Sequence, residues 1–166
     1  MIDVTNNKSP LASSHFPDLP PVAGLTFASG PCQVKYVNKT DVLLAQFAPG
    51  TVAAGVFTKS KTAAAPVDWC RAILANQEAR GLVVNSGNAN AFTGDDGMQD
   101  VVTLCAGFAA HISAKGEDVL IASTGVIGEP LDCALITAEF ETLAKTDDAG
   151  WLAAANAIRT TDTFAK

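Results

Sequence analysis

Short apolar runs separated by turn-forming residues dominate the first half of the chain. Runs of this length, rich in branched and aromatic residues, predict buried strands. They lie at 24–27, 34–37, 42–47, 52–58 and 82–85. The string Asn38-Lys39-Thr40-Asp41 between two of these runs is typical of a turn.

The second half of the chain combines helical periodicity with one more strand. Pro66 predicts the start of a helix that runs to about 79, because proline is favoured in the first helical turn. Apolar residues with a helical period predict a helix over 100–115. A strand at 119–122 is followed by predicted helices at 131–146 and about 149–158. This order predicts an α+β fold, a mixed β-sheet with packed helices.

The composition predicts a globular domain preceded by an arm. The chain is 48% hydrophobic and 17% charged, which is typical of a sequence that folds around a core. Residues 1–21 are polar and proline-rich, so we assign them to an N-terminal arm ahead of a domain at 22–166. The arm lacks the apolar segment of a secretory leader, and we expect a cytoplasmic protein.

The net charge and the hydropathy pattern exclude two classes of partner. The net charge of −6 disfavours binding to nucleic acid or to an anionic membrane surface. No apolar stretch approaches the length that a membrane span needs.

The four cysteines predict buried thiols rather than a metal site or a disulfide framework. None stands in a C-x-x-C pair, and neither His15 nor His111 lies at metal-ligand spacing from them. The chain also lacks the glycine strings of dinucleotide and P-loop sites. We therefore expect no metal ion and no tightly bound organic cofactor.

Three polar segments contain the candidate chemistry. The string Ser-Thr-Gly-Val-Ile-Gly at 123–128 follows a predicted strand, and a tight turn there can direct a hydroxyl and backbone N–H groups at an oxyanion. A purely structural turn explains the same string, because glycine is the default turn residue. The other two segments are 83–94, with Asn-Ser-Gly-Asn-Ala-Asn, and 157–163, with Arg-Thr-Thr-Asp-Thr. No nucleophile and base can be paired within the chain.

In this order, the three segments resemble the N-terminal (α) chain of the ornithine acetyltransferase family, the bifunctional glutamate N-acetyltransferases of arginine biosynthesis. The stretches 53–58 and 64–67 fit the same family, so the resemblance runs from about Gly24 to Lys166. It implies a layered α/β self-processing acyltransferase fold. In that family a precursor cleaves itself before a threonine, which becomes the N-terminus of the β chain and the acetyl-accepting nucleophile. An N-terminal threonine can use its own amine as the base.

The resemblance implies roles for individual residues. Thr124 and Gly125 match the oxyanion-hole pair, whose hydroxyl and N–H would donate to the tetrahedral intermediate. Thr160, or its neighbour Thr161, matches a threonine that contacts the substrate. Structural alternatives stay open: the Thr124 hydroxyl could cap the next helix, and the other two hydroxyls could form local hydrogen bonds in a turn.

The segment 85–90, here called the asparagine loop, is expected to form a rigid wall of the site. Its residues Asn85, Gly87, Asn88 and Asn90 include the types that tolerate positive φ. Direct contact of Asn88 or Asn90 with substrate stays open.

Two positions depart from the family pattern. Arg159 stands where an apolar residue is expected, and Ala165 where proline is expected, so both departures lie beside Thr160 and Thr161.

The resemblance implies an α chain that works with a β chain, in an α2β2 hetero-oligomer. The complete enzyme would move acetyl from N-acetylornithine to glutamate through an acetyl-threonine, and some members also accept acetyl-CoA. The chain reaches Lys166 without the nucleophile, so we expect it to be inactive alone; a shortened α chain, a fragment and one piece of a split gene all fit this ending. Two alternatives remain: an amidase or aminopeptidase of a related self-processing fold, and a non-catalytic remnant that acts as a binding or interaction domain.

Overall fold

A four-stranded sheet with five helices forms the part of the chain that the computed structural model describes, residues 9–146 and 148–166. The strands are β1 (Leu25–Gly30), β2 (Val42–Phe47), β3 (Gly81–Asn88) and β4 (Val119–Val126). The helices are α1 (Ala65–Ile73), α2 (Gly94–His111), α3 (Cys133–Thr137), α4 (Phe140–Ala144) and α5 (Gly150–Ala157). The predicted α+β class, a mixed sheet with packed helices, is confirmed.

The strands lie in sequence order, and the sheet is mixed. β1 pairs antiparallel with β2, and β2 antiparallel with β3. β3 and β4 are parallel, joined by a crossover through α2, as parallel neighbours require. The carboxyl ends of β3 and β4 therefore meet at one edge of the sheet, where Ser86 is paired with Thr124 and Gly87 with Gly125.

Helices cover both faces of the sheet. On one face, Leu44, Val83 and Ile121 belong to a core cluster that includes Leu104 and Phe108 of α2. On the other face, a smaller cluster joins strand residues to α5, namely Leu43, Val84, Ala154 and Ala157. Because both faces are covered, the first four residues of β2 are all buried, which explains why the strand begins with four consecutive apolar residues.

Two predicted strands are wrong. Residues 34–37 lie in a loop, and the buried carboxylate of Asp41 accepts hydrogen bonds from the backbone N–H groups of Cys32 and Val34, each at 2.7 Å. A side chain thus takes the place of a strand partner for these amides. Residues 52–58 form no strand either: Val52 makes one isolated bridge to Glu78.

The predicted helices are present, but several bounds are wrong. The first ends at Ile73 and continues as a 3₁₀ turn to Asn76. The helix expected from 100 begins earlier, at Gly94. The apolar pattern does not reveal this start, because the first turn is acidic and has no apolar residue. The segment 131–146 is two short helices, α3 and α4, rather than one.

The N-terminal arm contacts the C-terminal part of the chain. Residues 1–8 of the predicted arm lie outside the described residues. In the described part, Trp151 Nε1 donates to the Pro20 carbonyl at 3.0 Å, and the N–H of Ser9 donates to Thr163 Oγ1 at 3.1 Å. The division into arm and domain stays a prediction. Within the described residues, no helix combines the length and the apolar character needed to cross a membrane.

Candidate functional site

Thr124 and Gly125 lie in the last residues of β4, not in a turn that follows it. The sequence predicts a strand that ends at 122, but pairing with β3 continues to Val126. The pairing becomes irregular at Gly87 and Asn88, where one register shift follows another. The two residues therefore sit on a strand end that the neighbouring strand holds in place.

A close approach of the two backbones requires glycine at the ends of both strands. Gly125 has φ +142°, and a Cβ on it would lie 2.5 Å from the backbone nitrogen of Asn88. Gly87 has φ +111°, and a Cβ there would lie 2.7 Å from Lys35 Cβ. L side chains rarely adopt these conformations, so both positions favour glycine on backbone and steric grounds.

Neighbouring hydroxyls on β4 have different partners. Ser123 Oγ donates to Asn85 Oδ1 at 2.6 Å, which ties it to the asparagine loop. Thr124 points to the opposite face, as alternate strand residues do. Its side chain is partly buried and makes no hydrogen bond to the described residues. The Thr124 hydroxyl is therefore available to a ligand.

The predicted loop is wrong for most of its length, because residues 85–88 of the asparagine loop are the end of β3 and only 89–90 lie beyond the strand. The side chains of this segment hold it in place. Asn85 Nδ2 donates to the Asn88 carbonyl at 2.9 Å, and Asn88 Nδ2 donates to the carbonyls of Glu129 and Pro130 at 3.0 and 3.1 Å. Asn88 Oδ1 accepts from the backbone N–H of Asn90 at 2.7 Å. All three asparagines are buried. The segment is thus held by its own amides, and its role as a wall of the site stays a prediction.

Asn90 extends the same network to the start of α2. Its Nδ2 donates to the Gly97 carbonyl at 2.8 Å, and its Oδ1 accepts from Thr93 Oγ1 at 2.7 Å. The side-chain amides of Asn88 and Asn90 thus have partners within the protein, which favours the wall over direct substrate contact by these groups.

The end of α5 lies beside the end of β3. Ser86 Oγ donates to the carbonyl of Ala157, the last residue of α5, at 2.8 Å. Ser86 is the register partner of Thr124, so α5 ends close to the candidate oxyanion residues. Thr160 and Thr161 follow in the loop after α5. Neither makes a hydrogen bond to Thr124 or Gly125 in the described part of the chain.

The loop after α5, residues 159–163, borders an open cavity of about 460 Å³ together with residues 36–39. Lys39 Nζ donates to the Arg159 carbonyl at 2.5 Å. Burial lowers the pKa of the Lys39 ammonium and the charge of Arg159 lowers it further, while Asp41 opposes the shift. The cavity thus contains two cations beside the threonines.

A model of the ArgJ family matches residues 26–166. The chain belongs to the ArgJ family. It is 49% identical to the arginine biosynthesis bifunctional protein ArgJ of Bradyrhizobium diazoefficiens, over 98% of this chain and 40% of that protein. It is 50% identical to the ArgJ protein of Nitrobacter winogradskyi, over 95% of this chain and 39% of that protein. The chain therefore spans about 40% of the length of these relatives.

Two solved structures share the fold of this ArgJ-family chain. Ornithine acetyltransferase from Mycobacterium tuberculosis, in complex with ornithine, has a TM-score of 0.79 at 33% identity, over 84% of this chain and 77% of that one. The bifunctional protein ArgJ from Bacillus halodurans has a TM-score of 0.78 at 32% identity, over 85% and 74%. The family resemblance stated from the sequence is confirmed.

One structural residue of this ArgJ-family chain was missed by sequence reasoning. Asp41, predicted as part of a turn, is fully buried. Besides the two N–H groups that its carboxylate holds, its carbonyl accepts from the N–H of Ser86 at 2.8 Å. It thereby connects the 31–41 loop to β3 beside the site. The sequence feature that could have identified Asp41 is an acidic residue directly before the apolar run that begins β2.

The cysteines of the chain are poor candidates for a nucleophile. Burial raises the pKa of Cys32 and of Cys105 to about 12, and it also raises the pKa of Cys70. Burial raises the pKa of Cys133 too, and its hydrogen bond to Asp100 adds to the shift. The thiolate is the reactive form, so a raised pKa disfavours each of these thiols as a nucleophile. The described residues of the ArgJ-family chain offer donors for an oxyanion but no activated thiol.

Proposed function

We propose that this chain is the α portion of an acetyltransferase that moves acetyl from N-acetylornithine to glutamate through an acetyl-threonine on a β chain. The free hydroxyl of Thr124, on a strand end next to Gly125, is the observation that carries the proposal. The relatives, a bifunctional protein of arginine biosynthesis and an ornithine acetyltransferase, supply the substrate class.

Thr124 and Gly125 act as the oxyanion hole. When the β-chain threonine attacks the acetyl carbonyl, the π electrons of the C=O bond move to oxygen as the new C–O bond forms. The Thr124 O–H and the Gly125 N–H donate to that oxygen. The N-terminal amine of the β chain takes the proton of the attacking hydroxyl and gives it to the nitrogen of ornithine as the C–N bond breaks, so that the tetrahedral intermediate collapses to the acetyl-threonine and free ornithine. Donors aimed at developing charge from a rigid scaffold stabilise the transition state, and here the paired strand ends provide that rigidity.

The remaining predicted site residues orient the substrate. The asparagine loop forms one wall, held by its own hydrogen bonds. Thr160 or Thr161 contacts the acetylated amino acid from the other side, because the loop after α5 follows the contact of Ala157 with Ser86. This division leaves the β chain to supply the nucleophile and its amine base.

The assembly follows from the same proposal. The chain needs a β chain, self-cleavage of a precursor would generate the N-terminal threonine, and two copies of each chain would form an α2β2 hetero-oligomer in the cytoplasm. Acetyl-CoA is a further donor in the bifunctional version. The chain alone is inactive. An amidase would use the same oxyanion donors, but the names of the relatives favour acetyl transfer to an amine.

Reconstitution tests the proposed function. The chain is coexpressed with the remaining part of the Bradyrhizobium diazoefficiens relative, and the complex is incubated with N-acetylornithine and glutamate. We expect N-acetylglutamate as product and an acetylated N-terminal threonine, detected by mass spectrometry of the trapped β chain. The chain without its partner is the control and should give neither. Release of free acetate without transfer to glutamate would indicate an amidase instead.

A further inference from the structure

The cavity beside α5 contains a cation that has no partner. Arg159 is partly buried, and its Nε is buried with no hydrogen-bond partner in the described part of the chain. No described carboxylate forms an ion pair with its guanidinium. A guanidinium presents N–H donors in a planar fork that matches a carboxylate. Buried donors without a partner are rare in folded proteins, so this one requires an explanation.

The neighbouring groups reinforce an attraction for anions. Lys39 adds a second positive charge, and one of its donors is used by the Arg159 carbonyl at 2.5 Å. The nearby carboxylates already have partners. Asp41 accepts from two backbone amides, and Asp162 pairs with Lys166.

Two hydroxyls complete the cavity. Thr160 and Thr161 line it, and neither side chain makes a hydrogen bond to the described residues. A hydroxyl beside a guanidinium can donate to the second oxygen of a bound carboxylate. The structural alternative, in which these hydroxyls form hydrogen bonds within the loop, does not match the geometry.

We propose that this cavity is a carboxylate subsite, in which the Arg159 guanidinium and a threonine hydroxyl bind the carboxylate of an acetylated amino acid, with Lys39 adding charge. A chain of net charge −6 disfavours a polyanion, so a single carboxylate fits better than a phosphorylated ligand. The choice of N-acetylornithine as the ligand rests on the proposed function. On this proposal, Arg159, which stands where the family pattern has an apolar residue, gives this chain its own way of binding the carboxylate.

Titration of the isotopically labelled chain, followed by amide NMR shifts, tests the subsite without any turnover. N-acetylornithine should shift the amides of residues 159–161 and saturate. Its neutral carboxamide analogue should bind about tenfold more weakly or not at all, since it lacks the anion. Inorganic phosphate, titrated in the same way, should bind less tightly than N-acetylornithine. Saturation by phosphate alone would overturn the carboxylate assignment.

Charge variants locate the binding group. Arg159→Met should weaken N-acetylornithine binding about tenfold or more, and Arg159→Lys should restore part of it. Lys145→Met removes a cation from an exposed surface pair and should leave binding unchanged. Thermal melts of each variant establish that it is folded. Equal losses in Arg159→Met and Lys145→Met, or no loss in either, would overturn the subsite.

The reconstituted complex separates failure of the subsite from failure of the proposed function. If the chain binds the carboxylate through Arg159 but the complex transfers no acetyl group, the subsite stands and the function is wrong. If the complex transfers acetyl while Arg159→Met binds as well as the parent chain, the function stands and the subsite is wrong.

Discussion

The asparagine loop and the loop after α5 are both polar, yet they use their side chains in opposite ways. In the asparagine loop, Asn85, Asn88 and Asn90 are buried and bonded to the protein. In the loop after α5, Arg159 and two threonines have side chains without a hydrogen-bond partner in the described part of the chain. Groups that are satisfied within the protein determine its shape, while unsatisfied ones are available to a ligand. Substitutions in the first loop should therefore cost stability, and substitutions in the second should cost binding.

The largest stability effect is expected at the strand ends that support the asparagine loop. Gly125→Ala places a methyl group against the backbone of Gly87 and Asn88 at φ +142°. We expect a loss of more than about 4 kcal/mol in the free energy of unfolding, measured by urea denaturation. Gly50→Ala is the control, because Gly50 also has positive φ but a Cβ there meets nothing. Equal losses of stability in both variants would show that the positive φ, and not the steric contact, causes the effect.

A loss of about 2 to 3 kcal/mol is expected from Asn88→Ala, because it removes a buried amide and leaves the buried N–H of Asn90, together with the carbonyls of Glu129 and Pro130, without its partner. Asn156→Ala serves as a matched control, since that amide bonds only to Leu152 in its own helix. Thermal and urea unfolding measure both. A stable Asn88→Ala chain would show that the loop does not depend on its amides.

A binding effect without a stability effect is expected in the other loop. Thr160→Val or Thr161→Val, whichever threonine contacts the substrate, should raise KM for N-acetylornithine about tenfold in the reconstituted enzyme. The free energy of unfolding should change by less than about 0.5 kcal/mol, because neither hydroxyl bonds to the described protein. If both variants keep the parent KM, neither threonine contacts the substrate.

The smallest effect on stability is expected from Arg159→Met. Removing a cation that lies near Lys39 and has no ion pair relieves repulsion and an unsatisfied donor. The melting temperature should stay the same or rise slightly. A marked fall would show that the guanidinium stabilises the fold and is not held ready for a ligand.

The sequence predicts the parts of this fold that depend on local patterns. The strand predicted at 42–47 is β2 with the predicted bounds, because its first four residues form an apolar run that is buried on both faces. At the strand expected over 34–37, the Asp41 carboxylate accepts from the N–H of Val34 and from that of Cys32 just before it, and the segment forms a loop. That side-chain contact has no signature in the apolar pattern.

The candidate site was located by motif rather than by pattern, and its geometry needed the structure. Thr124 and Gly125 were placed in a turn, but pairing with β3 extends the strand through them, and sequence patterns do not reveal that pairing. Likewise, the composition of the asparagine loop indicates positive φ. It does not indicate which carbonyls each amide binds.

The central claim is that the Thr124 hydroxyl stabilises the oxyanion, and single-turnover acetylation of the β-chain threonine tests it most directly. Thr124→Val in the reconstituted enzyme should lower the acetylation rate about a hundredfold or more with little change in KM, because the hydroxyl acts only near the transition state. Thr124→Ser, which keeps the hydroxyl, should retain most of the rate. Ser123→Ala, which removes the hydroxyl bonded to Asn85, should lower stability more than the rate. A Thr124→Val enzyme that acetylates at the parent rate would contradict the account.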